Sequence, residues 1–156
     1  MNNKISIITV CLNSEETIRE SIQSLLPQDH LDIEYIVVDG SSSDNTLKIL
    51  EEYKNKIDVL VSEPDEGLYD ALNKGIKLAT GDIIGILHSD DIFADENVLS
   101  KVSSLMTSTS ADVCFSDMVI ENSKTGKVIR FYSSRYFSRI LLRTGWMPAH
   151  PATFIR

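Results

Sequence analysis

Oxygen-bearing side chains follow four apolar runs of this 156-residue chain, each at the point where the run ends. The first run leads through Thr9 to Asn13, and the second ends at Asp39. The third is followed by Glu63-Pro64-Asp65-Glu66 and the fourth by His88-Ser89-Asp90-Asp91. Carboxylate oxygens suit Mg²⁺ and Mn²⁺. If these loops meet at one edge, their acids could share a divalent cation that in turn holds a diphosphate.

Asp90 and Asp91 give the strongest local signal. Adjacent carboxylates directly after a buried strand are costly unless a partner neutralises them, so we interpret this pair as the metal ligands. A single acid in such a place is as easily a helix cap or a turn residue, and Asp44 and Asp95 are interpreted in that way. Four acidic or polar strand ends together favour a ligand site.

Alternating strands and helices must position these residues. The apolar runs are nearly continuous instead of alternating, which is typical of parallel strands covered by helices on both faces. Four such strands are predicted, at Ile5–Cys11, Tyr35–Asp39, Ile57–Val61 and Ile83–Leu87. The segments between them carry apolar residues at helical spacing. The fold class is therefore α/β with a mainly parallel sheet, and ligands of such sheets bind beyond the carboxyl ends of the strands.

The third predicted helix, which starts at Gly67, has one apolar and one polar stripe. Leu68, Leu72, Ile76 and Ala79 form the apolar stripe, which is expected to be buried. Asp70, Asn73 and Lys74 belong to the polar stripe. Asp70 and Asn73, nearest the helix start, are candidates for ligand contact, and the alternative is a solvated face with an ordinary Asp70–Lys74 pair.

The last third of the chain changes pattern. Short β-rich runs start at Val113 and Met118, a polar turn covers 122–126, and a further run begins at Val128. This order predicts a late antiparallel hairpin. The chain has no internal repeat and no linker-like tract, so residues 1–156 are predicted to form one domain.

The net charge of −8 argues against nucleic acid as a partner, because an acidic protein repels phosphate backbones. The charge is uneven: residues 1–121 carry a net −15 and residues 122–156 a net +7. The basic segment could face an anionic partner or the acidic body of its own domain. Cys11 and Cys114 are predicted to be buried, reduced thiols. With no recognisable secretory leader or membrane-spanning run, a cytoplasmic location is expected.

Two common nucleotide-binding signatures do not fit. The loop after the first strand reads Cys11-Leu12-Asn13-Ser14-Glu15-Glu16, which matches neither the glycine-rich dinucleotide fingerprint nor the phosphate loop of ATPases. A phospho-receiver domain also gathers acids around Mg²⁺, but the late lysine that it needs cannot be placed in this sequence.

Four segments in order resemble family 2 of the inverting glycosyltransferases, which have the Rossmann-like GT-A fold. They are Ser6–Asn13, Glu34–Thr46, Ser62–Gly75 and Gly81–Asp91. The resemblance implies a hexosyl-type transferase that uses a nucleotide-diphospho-sugar donor, a UDP-sugar in our interpretation. It also implies Mn²⁺ or Mg²⁺ as cofactor, a glycan or lipid-linked acceptor, and a role in polysaccharide biosynthesis.

The same resemblance implies roles for individual residues. Asp90 would coordinate the metal, with Asp91 beside it contacting metal or sugar. His88 stands where the family's Asp-x-Asp motif has its first acid. That His88 binds the metal directly is possible but is the less favoured interpretation. The residues implied in nucleotide binding are Thr9, Val10, Cys11, Asn13, Asp39, Glu63, Asp70, Asn73 and Ser89.

The resemblance divides the chain at residue 91. Residues 1–91 would form the donor-binding half and residues 92–156 the start of the acceptor half. The family's general base usually follows a segment resembling 146–156, so we expect it to lie beyond Arg156, with His150 as the alternative base. Without a base, the chain would be a nucleotide-sugar-binding module that lacks turnover.

Residues 128–146 mix arginines with aromatic and aliphatic side chains. Such a mixture can lie on an anionic bilayer, which would place the protein at the inner membrane surface. It can equally pack against the rest of the protein.

Overall fold

The structure, a computed structural model, describes residues 3–135 and 137–156. Eight strands form one six-stranded sheet and one separate two-stranded sheet. The strands are β1 (Ile5–Cys11), β2 (Ile33–Asp39), β3 (Val59–Ser62), β4 (Ile83–Ile86), β5 (Val113–Phe115), β6 (Met118–Glu121), β7 (Val128–Tyr132) and β8 (Thr153–Ile155). The α-helices are α1 (Ile18–Leu25), α2 (Thr46–Glu52), α3 (Leu68–Leu78), α4 (Val98–Thr109) and α5 (Arg139–Leu142). Short 3₁₀ turns cover Lys54–Lys56 and His150–Ala152.

The main sheet has the strand order β3-β2-β1-β4-β8-β5. Strands β1 to β4 are parallel, whereas β8 runs antiparallel to both of its neighbours. Helices cover both faces of this sheet. Alternate residues of β1, such as Ile7 and Ile8, contribute to two different core clusters, one that includes residues of α1, α2 and α4 and one that includes residues of α3. The predicted α/β class with a mainly parallel, helix-covered sheet is confirmed.

The predicted buried stripe of α3 is confirmed for Leu72 and, in part, for Ala79, which packs against the core, but not for Leu68 and Ile76. The helix buries Ala71, Leu72 and Gly75, whereas Leu68 and Ile76 are 47% and 45% exposed. A Cβ atom at Gly75 would lie only 2.4 Å from Cγ2 of Ile8, so the missing side chain allows the helix to approach the sheet closely. The buried face of α3 therefore combines Leu72 with the small residues Ala71 and Gly75, and it is rotated away from Leu68 and Ile76.

The late hairpin is confirmed as β6 and β7, which pair antiparallel with Val119 opposite Phe131. The sequence pattern missed β8, which lies between β4 and β5 in the main sheet. Three residues are too few to show a strand periodicity. The strand is anchored by Phe154, which is buried where Gly85 of β4 leaves room for its ring.

Cys11 is buried as predicted, but Cys114 is only partly buried, because β5 lies at the edge of the sheet. Both cysteines are free thiols. Among the described residues, no helix is long and apolar enough to cross a membrane.

Candidate functional site

The carboxyl ends of the four parallel strands meet at one edge of the sheet. Cys11 at the end of β1 is in register with Asp39 at the end of β2, and Asp39 is in register with Ser62 at the end of β3. On the other side of β1, the backbone N–H of Leu87 donates to the carbonyl of Ile8 over 3.0 Å. The loops after all four strands therefore emerge together, as the sequence indicated.

A cleft of about 480 Å³ lies at this edge. Its walls come from the loops after β1, β3 and β4, from the start of α3 and from the turn before β8. The lining residues are Val10, Cys11, Leu12, Ser14, Asp65, Gly67, Leu68, Ala71, His88, Ser89, Asp90 and His150. Of the residues predicted to act in the site, Val10, Cys11, Ser89, Asp90 and His150 are among them.

Asp39 and Thr9 lie behind the cleft wall, since both are fully buried. The carboxylate of Asp39 accepts hydrogen bonds from the Ser42 backbone N–H at 3.0 Å and from the Ser62 hydroxyl at 2.7 Å. The Thr9 hydroxyl accepts one from the hydroxyl of Tyr35 at 3.2 Å. In this structure the carboxylate of Asp39 stabilises the loop after β2. For Asp39 to contact a base or ribose, one of these hydrogen bonds would have to break.

The Cys11 thiol is held in its protonated form. Burial and the neighbouring carboxylate of Asp39 both raise its pKa. The thiol accordingly donates a weak hydrogen bond to Asp39 Oδ1 over 3.7 Å. Cys11 contributes a small apolar surface to the cleft, not a nucleophile.

Asn13 shapes the loop after β1, with a left-handed backbone at φ 51°. Its side-chain oxygen accepts a hydrogen bond from the Ser43 backbone N–H at 2.9 Å, and its own N–H donates to the Ser42 hydroxyl at 2.8 Å. The hydroxyls of Ser14 and Ser89 lie 2.9 Å apart and join the loops after β1 and β4. These bonds fix the two loops that carry much of the cleft.

A lysine-centred cluster holds the loop after β3 against α3. The ammonium group of Lys74 lies 3.0 Å from Glu63 and 3.2 Å from Asp70, and it donates to the Pro64 carbonyl over 2.8 Å. Glu63, Asp70 and Asn73, which were predicted to contact the nucleotide, are not among the residues that line the cleft. The ordinary Asp70–Lys74 pair, which was the alternative, is present.

The sequence signal for the α3 wall was Asp65-Glu66-Gly67, the three residues directly before the helix. Asp65 Oδ1 accepts a hydrogen bond from the Gly67 backbone N–H at 2.8 Å, and Gly67 has φ 110°, a conformation that favours glycine. This turn places Asp65, Gly67 and Leu68 in the cleft wall. An acid two residues before a glycine is a recognisable turn pattern in a sequence. The pattern does not show which way the turn faces, because that depends on how closely α3 packs against the sheet.

The loop after β4 brings two acids and a histidine to the cleft. Asp90 is exposed and lines the cleft, whereas Asp91 is half-buried and its backbone N–H donates to the His88 carbonyl at 3.1 Å. Burial and the adjacent charge of Asp90 raise the pKa of Asp91. Burial lowers the pKa of His88, which favours the neutral imidazole. Nε2 of His88 lies 2.9 Å from Nε2 of His150.

These residues can supply only some of the ligands that a divalent cation needs. Within residues 3–135 and 137–156, no three His, Cys, Asp or Glu side chains are grouped closely enough to form a metal site on their own. The exposed carboxylate of Asp90, with Asp91 next to it, has the hard oxygen donors that Mg²⁺ and Mn²⁺ prefer. The remaining ligands of such an ion would come from a bound diphosphate and from water.

The parallel sheet with its acidic carboxyl edge and its antiparallel β8 defines a Rossmann-like GT-A domain. The chain belongs to Glycosyl transferase family 2, whose sequence profile matches residues 6–154. The family and fold predicted from the four motifs are confirmed.

Two relatives illustrate the relationship. The Escherichia coli UDP-Glc:α-D-GlcNAc-diphosphoundecaprenol β-1,3-glucosyltransferase WfgD is 36% identical over 128 residues, which cover 80% of this chain and 50% of that protein. The structure of Staphylococcus aureus TarS 1–349 in complex with UDP matches with a TM-score of 0.75 and 26% identity, over 98% of this chain and 46% of that TarS 1–349 chain. The chain thus spans about half the length of these relatives.

The fold extends to more distant proteins. The mannosyltransferase PcManGT from Pyrobaculum calidifontis matches 80% of this chain and 37% of its own with a TM-score of 0.68 at 20% identity. At that identity the likeness concerns the fold alone.

Proposed function

We propose that this chain forms the donor-binding part of a metal-dependent inverting glycosyltransferase that moves a hexosyl group from a UDP-sugar to a glycan or lipid-linked acceptor, in cytoplasmic polysaccharide biosynthesis. The observation that carries the proposal is the cleft at the carboxyl edge of the sheet, with Asp90 exposed in its wall. Two related proteins support the donor class: WfgD is named for UDP-Glc and GlcNAc-diphosphoundecaprenol, and TarS was crystallised with UDP-GlcNAc at 29% identity.

The chemistry assigned to the cleft is stabilisation of a departing nucleoside diphosphate. Asp90, with Asp91 beside it, would hold Mn²⁺ or Mg²⁺ next to the diphosphate. The ion supplies positive charge where negative charge develops on the leaving group. Val10 and Cys11 offer an apolar wall suited to a nucleobase, and the Ser14–Ser89 pair offers hydroxyl donors nearby.

An inverting transfer needs a general base that removes the proton of the attacking hydroxyl. We propose that residues 1–91 form the donor-binding half and 92–156 the start of the acceptor half, with the base beyond Arg156. His150 is the alternative base, and its position in the donor cleft favours a role on the diphosphate side. A module that binds the donor without turnover is the second candidate, and donor binding without product formation would select it.

The surface proposed for membrane contact is one face of the β6–β7 hairpin. Val119 and Phe131 lie opposite each other and are 44% and 58% exposed, and Ile129, at the irregular point of the β6–β7 pairing, is 66% exposed. Lys124 and Lys127 lie at the turn that closes this hairpin. Exposed apolar side chains beside lysines suit an anionic bilayer, where a lipid-linked acceptor would reside. Tyr136, part of the predicted 128–146 contact segment, lies outside the described residues.

Calorimetry tests the donor site. We expect UDP to bind more tightly than GDP or dTDP, and Mn²⁺ to strengthen UDP binding. Asp90→Ala is expected to abolish the Mn²⁺-dependent gain and leave the unfolding temperature unchanged, because the side chain is exposed. The control is Glu20→Ala, which removes an exposed acid of α1. An unchanged Mn²⁺ response in Asp90→Ala, or no UDP binding by the wild-type chain, would contradict the proposal.

Vesicle flotation tests the membrane surface. The chain is expected to float with vesicles rich in anionic phospholipid and not with neutral ones. Lys124→Glu combined with Lys127→Glu is expected to reduce flotation severalfold, since each basic residue contributes roughly 1 kcal/mol near an anionic surface. Lys48→Glu, an exposed change on α2, is the control. Equal flotation of both variants would refute the assignment of this face.

A further inference from the structure

Two histidines from distant parts of the chain meet in the wall of the cleft. His88 follows β4, and His150 opens the 3₁₀ turn before β8. Their Nε2 atoms lie 2.9 Å apart, and their rings meet edge to face with centroids 5.0 Å apart. One Nε2–H must therefore donate to the other, unprotonated Nε2. Both residues line the same cleft as Asp90.

Besides the two histidines, the described residues that line the cleft offer a charged ligand only the hydroxyls of Ser14 and Ser89 as side-chain N–H or O–H donors. None of its lining residues within the described chain is a lysine or an arginine. Lys74 on α3 has its ammonium group occupied by Glu63, Asp70 and the Pro64 carbonyl. A diphosphate that enters the cleft would meet the carboxylates of Asp65 and Asp90 and would need N–H or O–H donors as well as a cation.

We propose that His88 and His150 bind the diphosphate of the nucleotide donor directly, through their imidazole N–H groups. This inference rests on the proposed donor site. In the free protein the two rings satisfy each other through one Nε2–H. When the ligand arrives, this Nε2–H turns to a phosphate oxygen, and the second imidazole donates to the diphosphate in its other neutral tautomer, with its proton on Nε2 instead of Nδ1. The exchange replaces a neutral hydrogen bond by a charge-assisted one, which is about twice as strong.

The fold explains how a residue near position 150 reaches a site built by the first 91 residues. Strand β8 pairs with β4, with Phe154 in register with Gly85. The turn that carries His150 is thereby fixed beside the loop that carries His88. In this arrangement β8 completes the donor cleft, so that the segment after residue 92 contributes to donor binding and not only to the acceptor side.

A purely structural pair would behave differently from a ligand-binding pair. If the histidines only fasten β8 to the sheet, their loss lowers stability and affects all ligands of the cleft alike. If they contact the diphosphate, their loss weakens UDP binding and spares uridine, which has the same base and ribose but no phosphate. If they act as metal ligands, the effect disappears when metal is removed.

Calorimetry with uridine and UDP, each in EDTA and in Mn²⁺, separates these cases. His88→Ala and His150→Ala are each expected to weaken UDP binding about tenfold in EDTA as well as in Mn²⁺, with uridine binding unchanged. His150→Gln, which keeps an N–H donor, is expected to recover part of the loss. Should an alanine variant unfold at a lower temperature, its uridine affinity reports whether the cleft is still intact, and His150→Gln supplies the second comparison.

Three results would overturn the inference. They are equal losses for UDP and uridine, no loss for either ligand, and a loss for UDP that is confined to Mn²⁺. In each of these cases UDP binding by the wild-type chain still supports the proposed function. A wild-type chain that does not bind UDP in either condition would instead remove the proposed function together with this inference.

Discussion

Ser62 donates a hydrogen bond of 2.7 Å to the fully buried carboxylate of Asp39, and this bond ties the end of β3 to the end of β2. The other donors to Asp39 are the backbone N–H and the hydroxyl of Ser42, which fix the following loop, and the thiol of Cys11. The carboxylate is thus the point at which the ends of β1, β2 and β3 are held together behind the cleft.

Asp39→Ala is expected to lower the free energy of unfolding by about 2–4 kcal/mol, because it leaves several buried donors without an acceptor. Asp39→Asn keeps one acceptor oxygen and is expected to cost about 1–2 kcal/mol. Urea denaturation measures both changes. Ser43→Ala, an exposed change in the same loop, is the control and should be nearly neutral. A neutral Asp39→Ala would show that the buried bonds add no net stability.

Gly85 of β4 is expected to tolerate no larger residue. A Cβ atom there would lie 2.5 Å from the ring of Phe154, which is itself buried. Gly85→Ala should therefore lower the free energy of unfolding by about 1–3 kcal/mol through overpacking. It should also displace β8 and with it His150, so UDP binding should weaken.

The double variant Gly85→Ala with Phe154→Leu provides the matched control for this clash. The smaller and more flexible leucine makes room for the new methyl group, so the double variant should lose less stability than the sum of the two single changes. Thermal or urea unfolding of the four proteins measures the coupling. Strictly additive effects would contradict a direct clash between these two positions.

The sequence predicted the parallel strands and the edge where the cleft lies, because continuous apolar runs and acidic strand ends are local features. On the basis of the family motifs it also predicted cleft residues at the end of β1, such as Cys11, and after β4, such as Asp90. On α3 the predicted Asp70 and Asn73 lie outside the cleft lining, whereas Leu68 and Ala71 belong to it, and nucleotide contact by Asp70 and Asn73 stays a prediction. The rotation of α3 about its axis depends on the close backbone packing at Gly75. The spacing of apolar residues in the sequence does not show this packing.

Local sequence patterns could likewise not predict the contact between His88 and His150. It depends on β8, a three-residue strand whose place in the sheet is fixed by Phe154 against Gly85. Such a pairing joins residues 62 positions apart and is decided by tertiary packing. A histidine in place of the family's first motif acid was the one visible signal, but the sequence did not indicate its partner.

Gln28 is expected to act as a remote cap of α4. Its buried side chain accepts a hydrogen bond from the Leu99 backbone N–H at 3.1 Å and donates one to the Asp95 carbonyl at 2.7 Å. Asn97, the residue at the start of this helix, makes no side-chain capping bond. Gln28→Ala should therefore cost about 1–3 kcal/mol of unfolding free energy, since a helix N–H loses its acceptor.

Urea denaturation tests the Gln28 prediction, with Gln23→Ala as the control because Gln23 is an exposed residue of α1. Hydrogen exchange adds a local measurement: the first turn of α4 should lose protection in Gln28→Ala and keep it in Gln23→Ala. Unchanged protection of this turn would show that Gln28 does not cap it.

Glu34 is expected to make folding stability depend on pH. Burial raises its pKa, but hydrogen bonds from Ser6, Thr80 and Lys4 outweigh burial and lower the pKa from 4.5 to about 2. One carboxylate oxygen accepts from Lys4 at 2.9 Å and the other from the Thr80 backbone N–H at 2.8 Å. Ser6 and the Thr80 hydroxyl add a bond each.

Because the folded protein binds this proton more weakly than the unfolded chain, the stabilisation is complete above pH 4.5 and is lost as the pH falls toward 2. The expected contribution at neutral pH is about 3 kcal/mol at most. Glu34→Gln removes it, so the stability difference between wild type and variant should be largest near pH 7 and should shrink between about pH 4.5 and pH 2. Urea denaturation across this range measures it, with the exposed Glu16→Gln as the control. A difference that stays constant with pH would show that the ionised carboxylate does not stabilise the fold.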